Sequence, residues 1–482
     1  MSHALDRIVN TYDVRGRVGE HLDAPTVTAL AAAFADVVVR PAGHTQAVVG
    51  HDMRTTSPGL ADAVVAGLGA RGLDVLSLGL CSTDELYYAS GVRALPGVMV
   101  TASHHPADWN GLKLCAAKAA PVDEDTGLYQ VAAVAERYLR DGVPTIAGGT
   151  GRPSGQTDGR TVEWDVLGDY AAYLRSLVDL TRVRPLAVVV DAGNGMAALT
   201  VPAVLGADAG LPDVPVRLFD VHMRLDGRLP ARAGGPMESE NLADLRASVL
   251  DHHADLGLAF DADADRCLVV DETGSVVSPS AITALIGLRA VEAEQRAGRH
   301  ATVIHNLITS RVVPDLMTAA GARPVRTRVG HSHVKREMAA HGAVFGGEHS
   351  GHYYFRDFFF ADDGLLAALH VIAALGEQSH PMSLLAGLYQ PYASSGEVNF
   401  AVDDPTGVSA RVLAAYRSAP GIVVDLLDGL TVAHWDVEPQ WWFNLRQAAT
   451  EPVLRLNVEA ADAEVMASVR DVVVAQVTGG RG

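Results

Sequence analysis

Residues 101–114 read TASHHPADWNGLKL and follow directly on the apolar run GVMV. Ser103 therefore ends a strand with His104 and His105 beside it. A hydroxyl at the carboxyl end of a parallel strand lies where α/β sheets place their ligands, so Ser103 can serve as a nucleophile or phosphate carrier. His104 and His105 are then donors or bases, and WNGLK supplies a tight turn and a cation, Lys113. A serine alone is more readily a turn or helix-capping residue.

A second stretch, LGLAFDADADRCLVVDE (256–272), alternates Asp261, Asp263 and Asp265. Three carboxylates this close repel one another unless a hard cation lies among them, and oxygen ligation suits one Mg²⁺. An EF-hand reading, with Glu272 twelfth, fails because Arg266 stands where the sharp turn needs Gly. A haloacid-dehalogenase-like phosphatase also uses Asp-x-Asp after a strand and remains a competitor.

Three further loops carry suitable groups. TRVGHSHVKREM (327–338) leads Gly330, His331, Ser332 and Lys335 from a turn into a helix. GGEHSGHYYFRD (346–357) presents Glu348, Ser350 and His352, and its carboxylate and hydroxyl suit vicinal sugar hydroxyls. In NLRQAATEPVLRLNVEA (444–460), Arg446 and Thr450 flank a small-residue loop able to hold phosphate by backbone N–H groups and a guanidinium. Each is an ordinary polar loop when taken alone.

The elements that must position these groups are legible as a rhythm. Short apolar runs at 46–50, 73–79, 97–100, 185–191, 255–260, 301–305 and 342–346 alternate with amphipathic stretches, among them a helix near 57–71. Such βα patterning predicts mostly parallel sheets flanked by helices. The Gly/Thr/Pro-rich segment 142–160 reads as a linker, and further breaks fall near 272–280 and 376–395. The expected division is 1–150 with the serine loop, 160–273 with the Asp-rich loop, 274–377 with the Glu348 loop, and a smaller α+β unit, 390–482, with the Arg446 loop.

At 482 residues and 48% hydrophobic content, the chain can bury several cores. A net charge of −19 argues against nucleic acid and anionic membranes as partners, while leaving room for a small phosphorylated ligand in a locally basic cleft. Three widely spaced cysteines form neither a metal cluster nor a disulfide framework. No apolar run approaches the ~18 residues of a membrane span. Charges interrupt any N-terminal signal core, so a cytoplasmic chain is expected. Nothing in the sequence indicates an oligomeric state.

Together and in this order, the five loops resemble those of the α-D-phosphohexomutase superfamily, which holds phosphoglucomutases, phosphomannomutases and phosphoglucosamine mutases. TASHHP is similar to its phosphoserine loop T-A/G-S-H-N-P, DADADR to its metal loop D-G-D-x-D-R, and GEHSGH to its sugar loop G-E-x-S-G-H. YDVRG (12–16), VGHDMR (49–54) and RQAATEP (446–452) are similar to its Y-D-I-R-G, V-G-R-D-x-R and R-x-S-N-T-E-P. The resemblance spans essentially the whole chain, and 262–275 and 443–460 resemble actinobacterial phosphomannomutases in wording.

The resemblance implies three βα domains with mixed sheets and a smaller C-terminal α+β domain around one cleft. It implies an Mg²⁺-dependent isomerase interconverting hexose 1- and 6-phosphates, mannose foremost, through a phosphoserine and a bisphosphate, with hexose 1,6-bisphosphate as activator. Ser103 would carry the phosphate, and Asp261, Asp263 and Asp265 would hold one Mg²⁺ together with a phosphoserine oxygen. His104, Lys113, Arg15 and His331 would surround the transferring group, with His331 as proton shuttle. Arg266, Gly330, Glu348, Ser350, Arg446 and Thr450 would bind the sugar phosphate.

Three departures stand out: His105 for Asn, Ala262 for Gly, and Ala448–Ala449 for Ser-Asn. Ala262 is tolerable at negative φ and costs about 1 kcal/mol otherwise. The two alanines remove side-chain hydrogen bonds worth roughly 0.5–1.5 kcal/mol each, or about tenfold in phosphate affinity. His105 adds a possible cation. The alternative readings are a paralogue for an unusual sugar or cyclitol phosphate and a silent sugar-phosphate binding protein.

Overall fold

A computed structural model describes Leu5 and residues 7–144, 159–231, 239–447 and 453–479. Four sheets follow one another along the chain. The first runs, in spatial order, Val14–Arg17, Trp109–Ala116, Gly97–Val100, Gln46–His51, Asp74–Leu80 and Thr161–Glu163, with Ala120–Pro121 paired to Trp109–Ala116. The second orders Val276–Val277, Cys267–Asp271, Leu256–Phe260, Leu186–Asp191 and Val216–Val221. The third orders Arg323–Thr327, Thr302–Asn306, Phe345–Gly347, Tyr353–Phe355 and Ala361–Asp362. The fourth orders Ala393–Ala401, Val453–Ala460, Trp441–Gln447, Leu430–His434 and Val423–Asp425.

The expected parallel pairing holds only in part. In the second and third sheets the strands joined by helices are parallel, and the strands joined by hairpins are antiparallel. The fourth is antiparallel throughout. Helical crossovers force parallel pairing, whereas short loops allow only antiparallel neighbours. The strands Gly97–Val100 and Leu256–Phe260 are buried at every position, as sheets covered on both faces require. Wide burial of Val, Leu and Ile there contributes roughly 1.5–3 kcal/mol per side chain.

Local sequence fixes the helix starts. Ser82 and Glu85 form a reciprocal capping box that opens helix Thr83–Arg93. Ser278 caps helix Pro279–Arg296, with Pro279 at the first helical position. Asp363 caps helix Gly364–Gly376 by accepting from Leu366 N–H. The start of helix Gly364–Gly376 is also tied to other units: Gly364 N–H donates to Asp84 at 3.3 Å, and Tyr170 Oη donates to Asp363 at 2.9 Å. Residues 145–158, most of the expected linker, lie outside the described residues. Among the described residues no helix is long and apolar enough to cross a membrane.

Candidate active site

The serine loop leaves strand Gly97–Val100 and returns along Trp109–Ala116, which pairs antiparallel with it. Ser103 sits at φ 48°, a conformation that costs a side-chain-bearing residue about 1–3 kcal/mol and so needs outside support. Arg54 gives that support. Its guanidinium donates to four loop carbonyls: Ser103 at 2.7 Å, His105 at 2.6 Å, Pro106 at 2.7 Å and Trp109 at 3.1 Å. Asp52 pairs with its Nε at 3.3 Å, and both side chains are fully buried.

Asn110 and Gly111, expected as a turn, instead lie inside strand Trp109–Ala116. Asn110 Nδ2 donates to Thr56 Oγ1 and Ser57 Oγ, at 2.9 Å each, while its Oδ1 accepts from Gly111 N–H at 2.8 Å. A Cβ at Gly111 would fall 2.1 Å from the Val14 carbonyl oxygen, so glycine lets strand Val14–Arg17 approach. That approach brings Arg15 opposite Gly111. Arg15 donates to Asp13 at 2.8 Å and to the Thr101 carbonyl, which orients it over the serine loop.

The Asp-rich loop is the tip of a hairpin between Leu256–Phe260 and Cys267–Asp271, which removes the EF-hand geometry altogether. Ligand oxygens of Asp261, Asp263 and Asp265 lie within 4.8 Å of one another, all buried. Ala262 is not among the positive-φ residues; Ala264 takes that conformation, at 71°. The alanine in place of glycine is therefore unstrained. Ala262 also closes onto Gly195, where an added Cβ would meet its carbonyl oxygen at 2.6 Å.

These loops meet. Ser103 Oγ donates to Asp261 Oδ2 at 3.0 Å. Lys113 Nζ donates to Asp263 at 2.7 Å and also to Asp265. Thr83 Oγ1 holds the same Asp263 oxygen at 2.7 Å. The remaining Asp263 Oδ1 is buried without a hydrogen-bond partner, and Asp265 Oδ1 has His352 Nε2 at 3.5 Å and Arg266 Nε at 3.9 Å. Buried carboxylate oxygens left under-satisfied beside a hydroxyl suit a hard divalent cation, so the residues present fit Mg²⁺.

Burial, with Asp265 and Asp263 alongside, pushes the Asp261 carboxyl up to about 8. Burial works against charge on Asp265 too, but Lys113 holds that carboxyl well below its usual range. His104 accepts at Nδ1 from Arg266 at 2.6 Å; burial and Arg266 keep its pKa well below the ordinary value. His105 lies 3.1 Å from the Ala102 carbonyl oxygen and packs against Trp109. Burial, then Arg15, lower its pKa as well, so it is a neutral ring in this state rather than the added cation considered above.

The sugar-type loop joins the Asp-rich loop directly. Cys267 N–H donates to the Gly351 carbonyl at 3.1 Å, and Arg266 forms an isolated bridge with His352. His352 stands 3.5 Å from Asp265 and 2.9 Å from Ser350 Oγ. Burial opposes its charge, but Asp265 raises its pKa on balance. Glu348 is fixed from three sides, accepting from Asn306 at 2.9 Å, Gly330 N–H at 3.0 Å and Tyr354 Oη at 2.6 Å. His331 packs edge-on to Tyr12, with ring centroids 4.7 Å apart, and both its ring nitrogens are buried without partners. Burial and then Lys335 push it down to about 3. Lys335 itself is occupied by Asp362 at 2.7 Å, under the ring of Tyr87.

Arg446 lies on strand Trp441–Gln447, its Nε buried and unpartnered among the described residues. Thr450, Ala448 and Ala449 lie outside the described residues. Sequence reasoning assigned no role to Arg54 and Thr83, which act on distant loops, or to Asp13, which holds its neighbour Arg15. It quoted His352 without linking it to Asp265. The only available signal was the quoted resemblance at YDVRG and VGHDMR.

Comparison with known proteins accounts for this arrangement. Residues 6–138, 168–274 and 278–392 match the phosphoglucomutase/phosphomannomutase alpha/beta/alpha domains I, II and III, and 397–476 match the C-terminal domain of the same group. The chain is 36% identical over 451 residues to a protein named "Phosphohexose mutases" from Xanthomonas campestris, covering 93% of this chain and 94% of that one. It is 36% identical over 461 residues to a phosphomannomutase from Escherichia coli, covering 94% and 95%. The crystal structure of a phosphoglucomutase/phosphomannomutase family protein from Burkholderia thailandensis superposes with a TM-score of 0.83, at 28% identity and 98% coverage of both chains.

Proposed function

The chain belongs to the phosphoglucomutase/phosphomannomutase family of intramolecular phosphotransferases, and from that premise we propose that it interconverts hexose 1-phosphate and hexose 6-phosphate, with mannose phosphate as the sugar. The observation that carries the reading is Ser103 Oγ at 3.0 Å from Asp261, inside the cluster that also holds Lys113, Asp263 and Asp265. A simple phosphatase needs neither that serine nor the sugar-type loop bridged to Asp265.

In this reading phosphorylated Ser103 gives its phosphoryl group to O6 of a hexose 1-phosphate. The Ser103 O–P bond breaks, the O6–P bond forms, and the O6 proton passes to the neutral His331. Ser103 Oγ leaves as the alkoxide, its charge offset by Lys113. The bisphosphate turns over, Ser103 Oγ attacks the 1-phosphoryl group, the O1–P bond breaks, and O1 takes the proton held on His331. Asp261, Asp263 and Asp265, with a phosphoserine oxygen, would hold Mg²⁺, which offsets charge on the transferring group. Arg15 and Lys113 add fixed positive charge at the same place. Arg266 orients His104, Glu348 and Ser350 address sugar hydroxyls, and Arg446 with Thr450 takes the phosphate that is not reacting. Burying the transfer between units keeps water from the phosphoserine.

The test is ³¹P NMR of the pure protein with Mg²⁺, mannose 1-phosphate and a trace of glucose 1,6-bisphosphate as activator. A growing 6-phosphate resonance, absent with Ser103→Ala and with EDTA, supports the reading. An unchanged spectrum, repeated with glucose and cyclitol phosphates, would reduce the protein to a binder. Release of inorganic phosphate alone would make it a phosphatase.

A further inference from the structure

Val329 and Gly330 are the two residues immediately before helix His331–His341, and a carboxylate holds the backbone N–H of each. Gly330 N–H donates to Glu348 Oε1 at 3.0 Å, and Val329 N–H donates to Asp428 Oδ2 at 3.1 Å. The two acceptors come from different parts of the molecule. Glu348 sits in the sugar-type loop of the third sheet, whereas Asp428 sits in the turn between Val423–Asp425 and Leu430–His434 of the fourth. Gly330 has φ +126°, which glycine adopts freely, so its own backbone preference does not single out this shape, whereas the two carboxylates do.

The fourth unit grips the same edge a second time, through an ion pair between Asp425 and Arg326. Behind Asp428 lies Asn444, fully buried, whose Nδ2 donates to the Asp428 carbonyl at 3.1 Å and to Thr431 Oγ1 at 3.0 Å. Asn444 is two residues before Arg446 on the same strand. A continuous set of hydrogen bonds thus runs from the strand bearing Arg446, through Asn444 and Asp428, to the turn that presents His331.

We propose that Asp428 is a positioning residue, which fixes the 328–330 turn, and through it the His331 imidazole, only while the C-terminal unit is docked. The inference rests on the reading above, in which Arg446 takes a phosphate and His331 faces the sugar. Its consequence is that the place of His331 depends on the unit that carries Arg446, so a ligand held by both strengthens the docking that orders the turn. Asp428 does not itself touch the reacting atoms. A carboxylate accepting a backbone N–H is a charge-assisted bond, strong enough to order a short turn.

The test uses the full-length enzyme and hydrogen–deuterium exchange at residues 326–334, with and without mannose 1-phosphate. In the wild type the ligand slows exchange at Val329. Asp428→Ala speeds that exchange by about tenfold, abolishes the ligand effect and lowers kcat by about tenfold with a smaller change in KM. Asp428→Asn keeps an acceptor oxygen and restores most of both. Should Asp428→Ala fold poorly, Asp428→Ser, too short to reach Val329, must exchange faster than Asp428→Asn. Exchange at Val329 that is the same in wild type and Asp428→Ala overturns the proposal, even in an active enzyme. Exchange needs no turnover, so a protein inert toward every hexose phosphate would overturn the mutase reading alone.

Discussion

Ser103 Oγ and Asp261 Oδ2 stand 3.0 Å apart although 158 positions separate them in the chain. The serine belongs to the first sheet and the aspartate to the second, so their contact is a property of how two units pack. Lys113 spans the same boundary to reach Asp263. Neither loop alone brings the Ser103 hydroxyl together with all three aspartates and Lys113.

Ser103→Ala should therefore remove a phosphate from the purified protein, read as a loss of about 80 Da in intact mass, and lower mutase turnover by more than about 10³-fold. Thermal unfolding should change little, because the hydroxyl bonds only Asp261, at 3.0 Å, and, at a long 3.4 Å, His104. Retained turnover would move the phosphoryl carrier elsewhere.

Arg54→Lys leaves a charge beside Asp52 but cannot reach four carbonyls at once, since an ammonium lacks the planar fork of a guanidinium. The serine loop should lose about 3 kcal/mol of support, measured by urea unfolding. Turnover should fall as Ser103 leaves its positive φ. An unchanged urea midpoint would show that the loop holds itself.

Glu85 is buried in its capping box, and burial raises its carboxyl to about 7. A folded-state pKa above the unfolded value means that its contribution is fully present below about 4.5 and is lost as pH rises through 7. Glu85→Gln mimics the protonated form. It should match the wild type near pH 5 and exceed it by up to about 3 kcal/mol at pH 8, in paired denaturation curves at the two pH values. A difference that does not depend on pH would assign the effect to the cap alone.

Ala448→Ser combined with Ala449→Asn restores the two side-chain donors that the family's phosphate loop carries. KM for hexose monophosphate should drop by about tenfold with kcat nearly constant. A fall in activity instead would mark the alanines as part of a changed substrate preference.

The chemistry was legible where neighbours in sequence are neighbours in space. Asp261, Asp263 and Asp265 sit on one hairpin tip, so their spacing showed that they converge, whereas Ser103, a turn or cap residue by itself, stood out only within the ordered set of loops. Arg54 was opaque because its carbonyl partners begin 49 residues downstream and carry no side-chain signature. Asn110–Gly111 looked like a turn by residue type, but Thr56 and the close strand Val14–Arg17 determine its conformation. The same limit concealed Asp428, whose partner is a backbone amide 99 positions away. His105 looked like a charge, and only its burial beside Arg15 shows why it is neutral.

The grip of Arg54 on the serine loop has a bearing on how the protein is born. Both partners lie in the first 109 residues, so the loop can take its shape while the rest is still in the ribosome. Asp261, Asp263, Asp265 and His352 arrive only much later in synthesis. A nascent or prematurely terminated chain thus displays a finished serine loop with none of the acidic groups that make it reactive. Under the proposed function, incomplete copies would lack turnover, and activity would begin only once the later units meet the serine loop.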